Sequence, residues 1–389
     1  NKYTPTKKTE DLKEYFNISS DDEVALIVNN ELSDYKAKII DKKIYVDYKF
    51  VHDSLNSRFY WDANENVLLY TTASDIISAA ADSNSYSVTK QTNDFGYPIV
   101  KATSDSALIA LDYVKQYSNI TFKSYDDPAR IVITSKWDEI DSATVSKSTQ
   151  VRVKGGIKSP ILKEVKKDDK ITILDSGDKW DKVATEDGVI GYIKRKALSE
   201  SKKTKLTNPD YEEETFTHIK KDKDICLAWN QVTSQSANSK VPQVISSTKG
   251  INVMSPTWFY LNDNNGNLAD IASKDYVSYC HSQGIEVWGL FSNLENTDVD
   301  AAYVLTHTST RTTLINQIMS AAFNYELDGV NIDFENITEA AYGDSYIEFI
   351  RELSIKCHNN GISLSVDVTV PASFNKFFNR SCLLYTSDA

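Results

Sequence analysis

From Lys223 onward, strand-like and helix-like segments alternate, and this alternation limits the fold more than any other feature of the 389-residue chain. Helix-like stretches precede the last three of five apolar runs, and each stretch ends in a glycine (Gly284, Gly329 or Gly361) where a left-handed helix cap is expected. Repeated βα units predict a parallel sheet, and we expect a (β/α)8 barrel of the TIM type, with a doubly wound sheet as the alternative. The predicted strands are residues 225–229, 251–259, 285–291, 329–335 and 362–370.

The predicted barrel segment, residues 223–380, is shorter than the about 250 residues that a complete barrel usually takes. Its five strands predict a barrel truncated before strands six to eight. Residues 381–389 have neither helical periodicity nor a strand pattern, and we treat them as an anomalous tail. Because missing strands expose sheet edges, we expect the last domain of this polypeptide to be unstable or inactive.

Residues 1–140 contain an internal repeat, with one copy beginning at Ile44 and the other at Leu108. Each copy predicts a short strand, a helical turn and two strands joined by a turn, which makes an α+β repeat domain. The repeat resembles the small domain named after the N-terminus of copper amine oxidases. The name implies no copper chemistry here, because His52 is the only histidine before residue 218. We expect a structural or wall-contacting role.

Residues 141–199 contain short alternating strands separated by glycine and Asp-Gly turns, which predict a small all-β barrel. The pattern resembles a bacterial SH3-like domain. That resemblance implies attachment to the bacterial cell wall, and a simple spacer is the alternative. Residues 200–222 are charged, polar and nearly free of aliphatic side chains, which is typical of a linker.

The overall charge and the cysteine and histidine content exclude several classes of function. A formal net charge of -12 argues against nucleic acid or an anionic membrane as the main partner. No apolar run reaches the roughly 18 residues of a membrane span. The four cysteines and five histidines form no metal-binding pattern, so we expect no metal and no cofactor.

The segment DGVNIDFE, residues 328–335, carries the strongest chemical signal in the chain. Side chains of a strand alternate between its two faces, so Asn331, Asp333 and Glu335 share one face. Three polar groups in register between apolar residues are costly to bury without partners. Glu335 ends the strand, which is where barrel enzymes place catalytic groups. We therefore predict a catalytic carboxyl at Glu335.

Four segments resemble family 18 of the glycoside hydrolases, in that family's order: NVMSPTWF, EVWGLFSN, DGVNIDFEN and LSVDVTVP. They are most similar to the branch that contains spore-cortex and cell-wall N-acetylglucosaminidases. The resemblance implies that Glu335 protonates the glycosidic oxygen. It also implies that Asp333 orients the N-acetyl group of the substrate, which acts as the nucleophile. Asn331 stands where the family has an aspartate, and an amide cannot share a proton with Asp333.

Further residues are predicted to bind the substrate. Asn331 and Asp328 belong to the signature, and Asn293 follows the third strand. Trp229, Trp258 and Trp288 lie at or near the ends of the first three strands, where sugar binding and core packing are both open.

The resemblance implies a secreted or cell-wall-associated glycosidase that cleaves beta-1,4 bonds of N-acetylglucosamine-containing polysaccharide by a retaining, substrate-assisted mechanism. Peptidoglycan is the first choice of substrate and chitin the second. A non-catalytic carbohydrate- or wall-binding protein and a carbohydrate transferase are the alternatives.

Overall fold

The computed structural model describes residues 4–337 and 339–368. The anomalous tail predicted at residues 381–389 lies outside the described residues. The described part of the chain divides into two compact units, one with residues up to 57 and residues 97–213, the other with residues 58–96 and the described residues from 214. Residues 58–96, predicted as part of the first domain, therefore group with the barrel segment.

In residues 4–134, the two repeat copies show the predicted order of elements. The strands and helices of this part are α1 (Leu12–Tyr15), β1 (Val24–Val28), β2 (Glu31–Ile40), β3 (Lys43–Asp47), α2 (Tyr48–Phe50), β4 (Tyr60–Asp62), β5 (Val67–Thr71), β6 (Ile76–Ala80), β7 (Ser85–Val88), β8 (Gln91–Asp94), β9 (Val100–Ala102), β10 (Ala107–Ala110), α3 (Leu111–Gln116), β11 (Thr121–Tyr125) and β12 (Arg130–Thr134). One copy runs β3, α2, β4, β5 and the other β10, α3, β11, β12. Strands β4 to β8 form a sheet of their own, and the others form a sheet ordered β11-β12-β1-β2-β3-β10-β9.

The next part of the chain is an antiparallel sheet. Its strands are β13 (Glu139–Thr144), β14 (Thr149–Arg152), β15 (Ile161–Val165), β16 (Lys170–Asp175), β17 (Trp180–Thr185), β18 (Ile190–Lys194) and β19 (Lys202–Lys205), ordered β15-β14-β18-β17-β16-β13-β19. The predicted linker is wrong at β19, which pairs with β13. The reason is that β19 is an exposed edge strand, and charged residues suit such an edge.

The last described part alternates strands and helices as predicted. Its elements are β20 (Leu227–Asn230), α4 (Val241–Ser246), β21 (Val253–Pro256), β22 (Phe259–Leu261), β23 (Leu268–Asp270), α5 (Lys274–Ser282), β24 (Glu286–Ser292), α6 (Ala301–Thr306), α7 (Thr308–Tyr325), β25 (Gly329–Asp333), α8 (Glu339–Asn359) and β26 (Ser363–Val366). Strands β20, β21, β24, β25 and β26 are adjacent, parallel and in chain order. A doubly wound sheet reverses its order at a switch point, so this order matches a partial TIM-like barrel.

Two of the three predicted glycine caps are confirmed. Gly284 and Gly361 have φ angles of 70° and 69°. The prediction is wrong for Gly329, because α7 ends earlier, at Tyr325, and is capped by Glu326, which has the left-handed conformation with φ 57°. Gly329 opens β25, where a Cβ atom would lie 2.5 Å from Cγ of Trp288. The Trp288 indole leaves no room for a side chain at residue 329, and this residue does not cap the helix.

Candidate active site

Strand β25 presents its polar and apolar residues on opposite faces, as the alternation predicts. Val330 and Ile332 are fully buried in the apolar core that the strands share with the helices. Asn331 and Asp333 point to the other face. The flanking strands fix the position of this row, since Asp333 lies opposite Ser292 of β24 and Ile332 lies opposite Val366 of β26.

Asn331 is buried and is the centre of a hydrogen-bond network across four parallel strands. Its Oδ1 atom accepts hydrogen bonds from Trp229 Nε1 and from Ser255 Oγ, both at 3.0 Å. Its Nδ2 atom donates to Asp367 Oδ1 at 3.1 Å. An indole N–H only donates, so the amide oxygen must face Trp229 and the amide nitrogen must face Asp367. The network thereby fixes the orientation of the Asn331 side chain.

Asp333 lines a cavity of about 480 Å³ at this end of the sheet; the other lining residues are Trp229, Thr257, Leu290, Val366, Asp367 and Val368. Trp229 is 62% exposed, although its Nε1 atom is bound to Asn331. An aromatic ring with one fixed edge and a free face, next to carboxylates, can pack against an apolar ring face and bind hydroxyl or amide groups. A sugar unit has both kinds of surface.

Glu335 stands where the chain leaves β25, and neighbouring residues hold its backbone. The Glu335 N–H donates to Asn293 Oδ1 at 2.8 Å, and Asn293 Nδ2 donates to the Glu335 carbonyl at 3.1 Å. Phe334 is fully buried, with its ring stacked on Phe349 at a centroid distance of 5.5 Å. Asn336 has a positive φ of 58°, a conformation that turns the chain away from the strand. The backbone of Glu335 is therefore held in place by its neighbours on both sides. In this segment the residue that lines the cavity is Asp333.

Asn293, predicted to bind the substrate, uses both polar atoms of its side chain on the Glu335 backbone. The structure therefore gives it a positioning contact. Its place directly after β24, opposite the end of β25, brings the two residues together.

Three predicted substrate-binding residues are not brought to Asp333 and Glu335, which corrects those predictions. Trp258 is fully buried in the core, where its Nε1 atom donates to Asn238 Oδ1 at 2.8 Å. Asp328 lies before β25, at the opposite end from Glu335, and accepts a hydrogen bond from the Val287 N–H at 2.8 Å. Trp288 lies at that same far end, packed where Gly329 has no side chain. Of the three tryptophans, only Trp229 joins the site.

Charged groups lie beside Trp288 at the end of the sheet opposite Glu335. Trp288 Nε1 donates to Glu286 Oε2 at 2.9 Å, and Lys221 Nζ lies 3.0 Å from the same carboxylate. Burial by itself would raise the pKa of Glu286, but the Trp288 hydrogen bond and the Lys221 ammonium lower it below its ordinary value. Trp288 is thus held by a charged partner at the bottom of the sheet.

Sequence reasoning missed Ser255, Thr257 and Asp367. For Asp367 a signal exists, because LSVDV alternates polar and apolar residues as GVNID does, and Asp367 is on the polar face at the strand end. Ser255 and Thr257 flank a proline in a mainly apolar run, and nothing in that run marks them.

Within residues 4–337 and 339–368, no group of three or more His, Cys, Asp and Glu residues is placed to hold a metal ion. The same part of the chain has no helix with the length and hydropathy of a membrane span.

Comparisons with known proteins give partial structural likenesses. No family model and no curated protein matches the chain. A chitinase from Chromobacterium violaceum ATCC 12472 is 18% identical, with 40% of this chain and 50% of that one covered, at a TM-score of 0.33. The spore cortex-lytic enzyme of Bacillus megaterium QM B1551 is also 18% identical, over 39% of this chain and 36% of that one, at 0.33. A class V chitinase from Pseudomonas fluorescens Pf-5 is 14% identical, over 40% and 48%, at 0.34. The chain thus spans half or less of the length of these solved structures, and likenesses of this size carry no activity over to it.

Proposed function

We propose that this protein is a glycosidase that cleaves beta-1,4 bonds of N-acetylglucosamine-containing polysaccharide. The observation that carries the proposal is the polar row of β25. Asn331 and Asp333 point away from the apolar core, Glu335 follows at the strand end, and the cavity beside them has the exposed indole of Trp229 as one wall. Carboxylates at the carboxyl end of a parallel strand, next to an aromatic platform, suit the binding and hydrolysis of a sugar chain.

In the proposed reaction, Glu335 donates a proton to the glycosidic oxygen as the bond to the anomeric carbon breaks. The carbonyl oxygen of the substrate's own acetamido group attacks that carbon and forms an oxazolinium ion, which Asp333 orients and stabilises. Water then attacks the anomeric carbon, the bond from that carbon to the acetamido oxygen breaks and restores the acetamido group, and the proton lost by the water returns to Glu335. The product keeps the anomeric configuration of the substrate.

For the substrate we propose peptidoglycan, with chitin second. The support is the SH3-like resemblance of residues 141–199, which we propose as a cell-wall attachment region. We also propose that the protein is secreted or associated with the cell wall, which is where such a substrate occurs.

A non-catalytic carbohydrate-binding protein is the second candidate, and one observation favours it. The cavity lining contains Trp229, Asp333 and Asp367, whereas Glu335 lies outside the lining. A binding protein needs only the indole and the polar groups of the cavity.

Because we expect a barrel that lacks strands to be unstable or inactive, the test uses a version of the protein with a completed barrel. It is incubated with purified peptidoglycan and with chitin oligosaccharides, and reducing-end release and the anomeric configuration of the first product are measured. The proposal predicts new reducing ends and a retained configuration. Saturable binding of either polysaccharide without any reducing-end release would support the second candidate instead.

A further inference from the structure

Asp367, directly after β26, joins the candidate site through Asn331 of β25. The Asp367 backbone N–H donates to the carbonyl of Ile332 at 2.9 Å, which fixes the level of Asp367 beside β25. Its side-chain Oδ1 atom accepts the hydrogen bond of Asn331 Nδ2 at 3.1 Å. Asp367 also lines the same cavity as Asp333 and Trp229.

An amide at residue 331 suits this contact. A carboxylate at residue 331 would bring one of its oxygens to the position of Nδ2, against Asp367 Oδ1. Two carboxylates that close cannot both stay ionised, so one of them takes up a proton. The amide avoids this by donating a hydrogen bond to Asp367 while its oxygen stays available to Trp229 and Ser255.

We infer that Asp367 is a positioning residue of the site. Its carboxylate fixes the orientation of the Asn331 amide, and that amide in turn holds the Trp229 indole. In the pair of Asp367 and Asn331, Asp367 carries the negative charge. The indole is the surface that we place against the sugar, so the functional part of this inference rests on the proposed function. The pair requires one carboxylate and one amide. It does not require the carboxylate to be on β26.

An exchange of the two groups tests the inference. Asn331→Asp, Asp367→Asn and the double variant are compared by thermal unfolding across a pH series and by the pH profile of hydrolysis. Asn331→Asp alone places two carboxylates in contact, so its destabilisation should grow as the pH rises and its activity profile should shift. The double variant restores one carboxylate and one amide. It should recover both the pH dependence and the stability, with a coupling of at least about threefold in the unfolding equilibrium constant.

Asp298→Asn is the matched control, because Asp298 is an exposed aspartate and its substitution removes the same charge. Combined with Asn331→Asp it should rescue nothing. If Asn331→Asp has the same stability and the same pH dependence alone as in combination with Asp367→Asn, the inference is overturned.

Unfolding needs no substrate, which separates this inference from the proposed function. Intact coupling in a protein without hydrolysis would count against the glycosidase and leave the pairing standing. Restored stability with an unrestored pH profile in an active protein would show that the contact is structural only, and would overturn the positioning role.

Discussion

The side-chain amide of Asn293 holds the backbone of Glu335 by two hydrogen bonds, one from the Glu335 N–H at 2.8 Å and one to its carbonyl at 3.1 Å. Asn293 follows β24 and Glu335 follows β25, so the contact joins the ends of two adjacent parallel strands. The position of the proposed acid thus depends on a neighbouring strand as well as on its own.

Asn293→Ala should lower kcat with little change in KM, because misplacing the acid affects the reaction step more than the binding of the sugar. A loss of about 10- to 100-fold is expected for a displaced catalytic group. Asn293→Asp keeps the hydrogen-bond acceptor and loses the donor, so its kcat should lie between those of Asn293→Ala and the parent protein. Steady-state kinetics on a chitin oligosaccharide gives both constants. A raised KM at unchanged kcat would instead show that Asn293 contacts the substrate.

Asp62→Ala should destabilise the second unit, since Asp62 links the β4–β8 sheet to the start of α7. Its buried carboxylate accepts hydrogen bonds from the backbone N–H of Thr308 at 2.7 Å and from the Thr308 hydroxyl at 2.5 Å. Loss of such a cap costs about 1–2 kcal/mol of unfolding free energy. Glu65→Ala removes the neighbouring, less buried contact with Ser309 and should cost less. Equal unfolding free energies of Asp62→Ala and the parent protein in urea would contradict the link.

Glu348 should make the second unit less stable at alkaline pH. It is fully buried on α8, and burial together with the Glu352 carboxylate raises its pKa to about 8, against the opposing charges of Arg311 and Arg351. Its pKa in the unfolded chain is about 4.3, so the stabilisation is complete below that value and is lost as the pH rises through the folded pKa. Glu348→Gln should flatten this dependence and stabilise the protein by about 1 kcal/mol or more at about pH 9. Melting temperatures across the pH range would test it, and parallel curves for the two proteins would refute it.

Gly188→Ala should destabilise the first unit. Gly188 lies in the turn between β17 and β18 with a φ of 83°, and a Cβ atom there would lie 2.9 Å from Val132 Cγ2. Both the backbone conformation and the contact oppose a side chain, for a cost of about 1–3 kcal/mol. Gly156→Ala is the control, because a Cβ atom there meets nothing within 4 Å. Denaturant unfolding that gave the two variants the same midpoint would contradict this reading.

The sequence predicted those features that depend on local periodicity. The alternation of GVNIDFE correctly separated Asn331 and Asp333 from the buried Val330 and Ile332, because strand geometry alone decides which face a residue takes. The same reasoning applied to LSVDV would have found Asp367.

Features that depend on contacts distant in the chain could not be predicted in this way. Residues 58–96 group with the barrel segment through contacts such as that of Asp62 with Thr308, which are 246 residues apart. Trp288 and Trp229 look alike in the sequence, and only the register of the parallel strands places one at the far end of the sheet and the other beside Asp333.

The most direct test of the proposed chemistry is a pair of glutamate-to-glutamine variants in a version of the protein with a completed barrel. Glu335→Gln keeps the size of the side chain but removes the exchangeable acid, whereas Glu326→Gln changes an exposed residue at the end of α7. Reducing-end release from peptidoglycan and from chitin oligosaccharides is measured beside sugar binding by calorimetry. We predict that Glu335→Gln binds sugar as the parent does but loses at least about 100-fold in kcat, while Glu326→Gln keeps full activity. Undiminished turnover by Glu335→Gln would contradict the account.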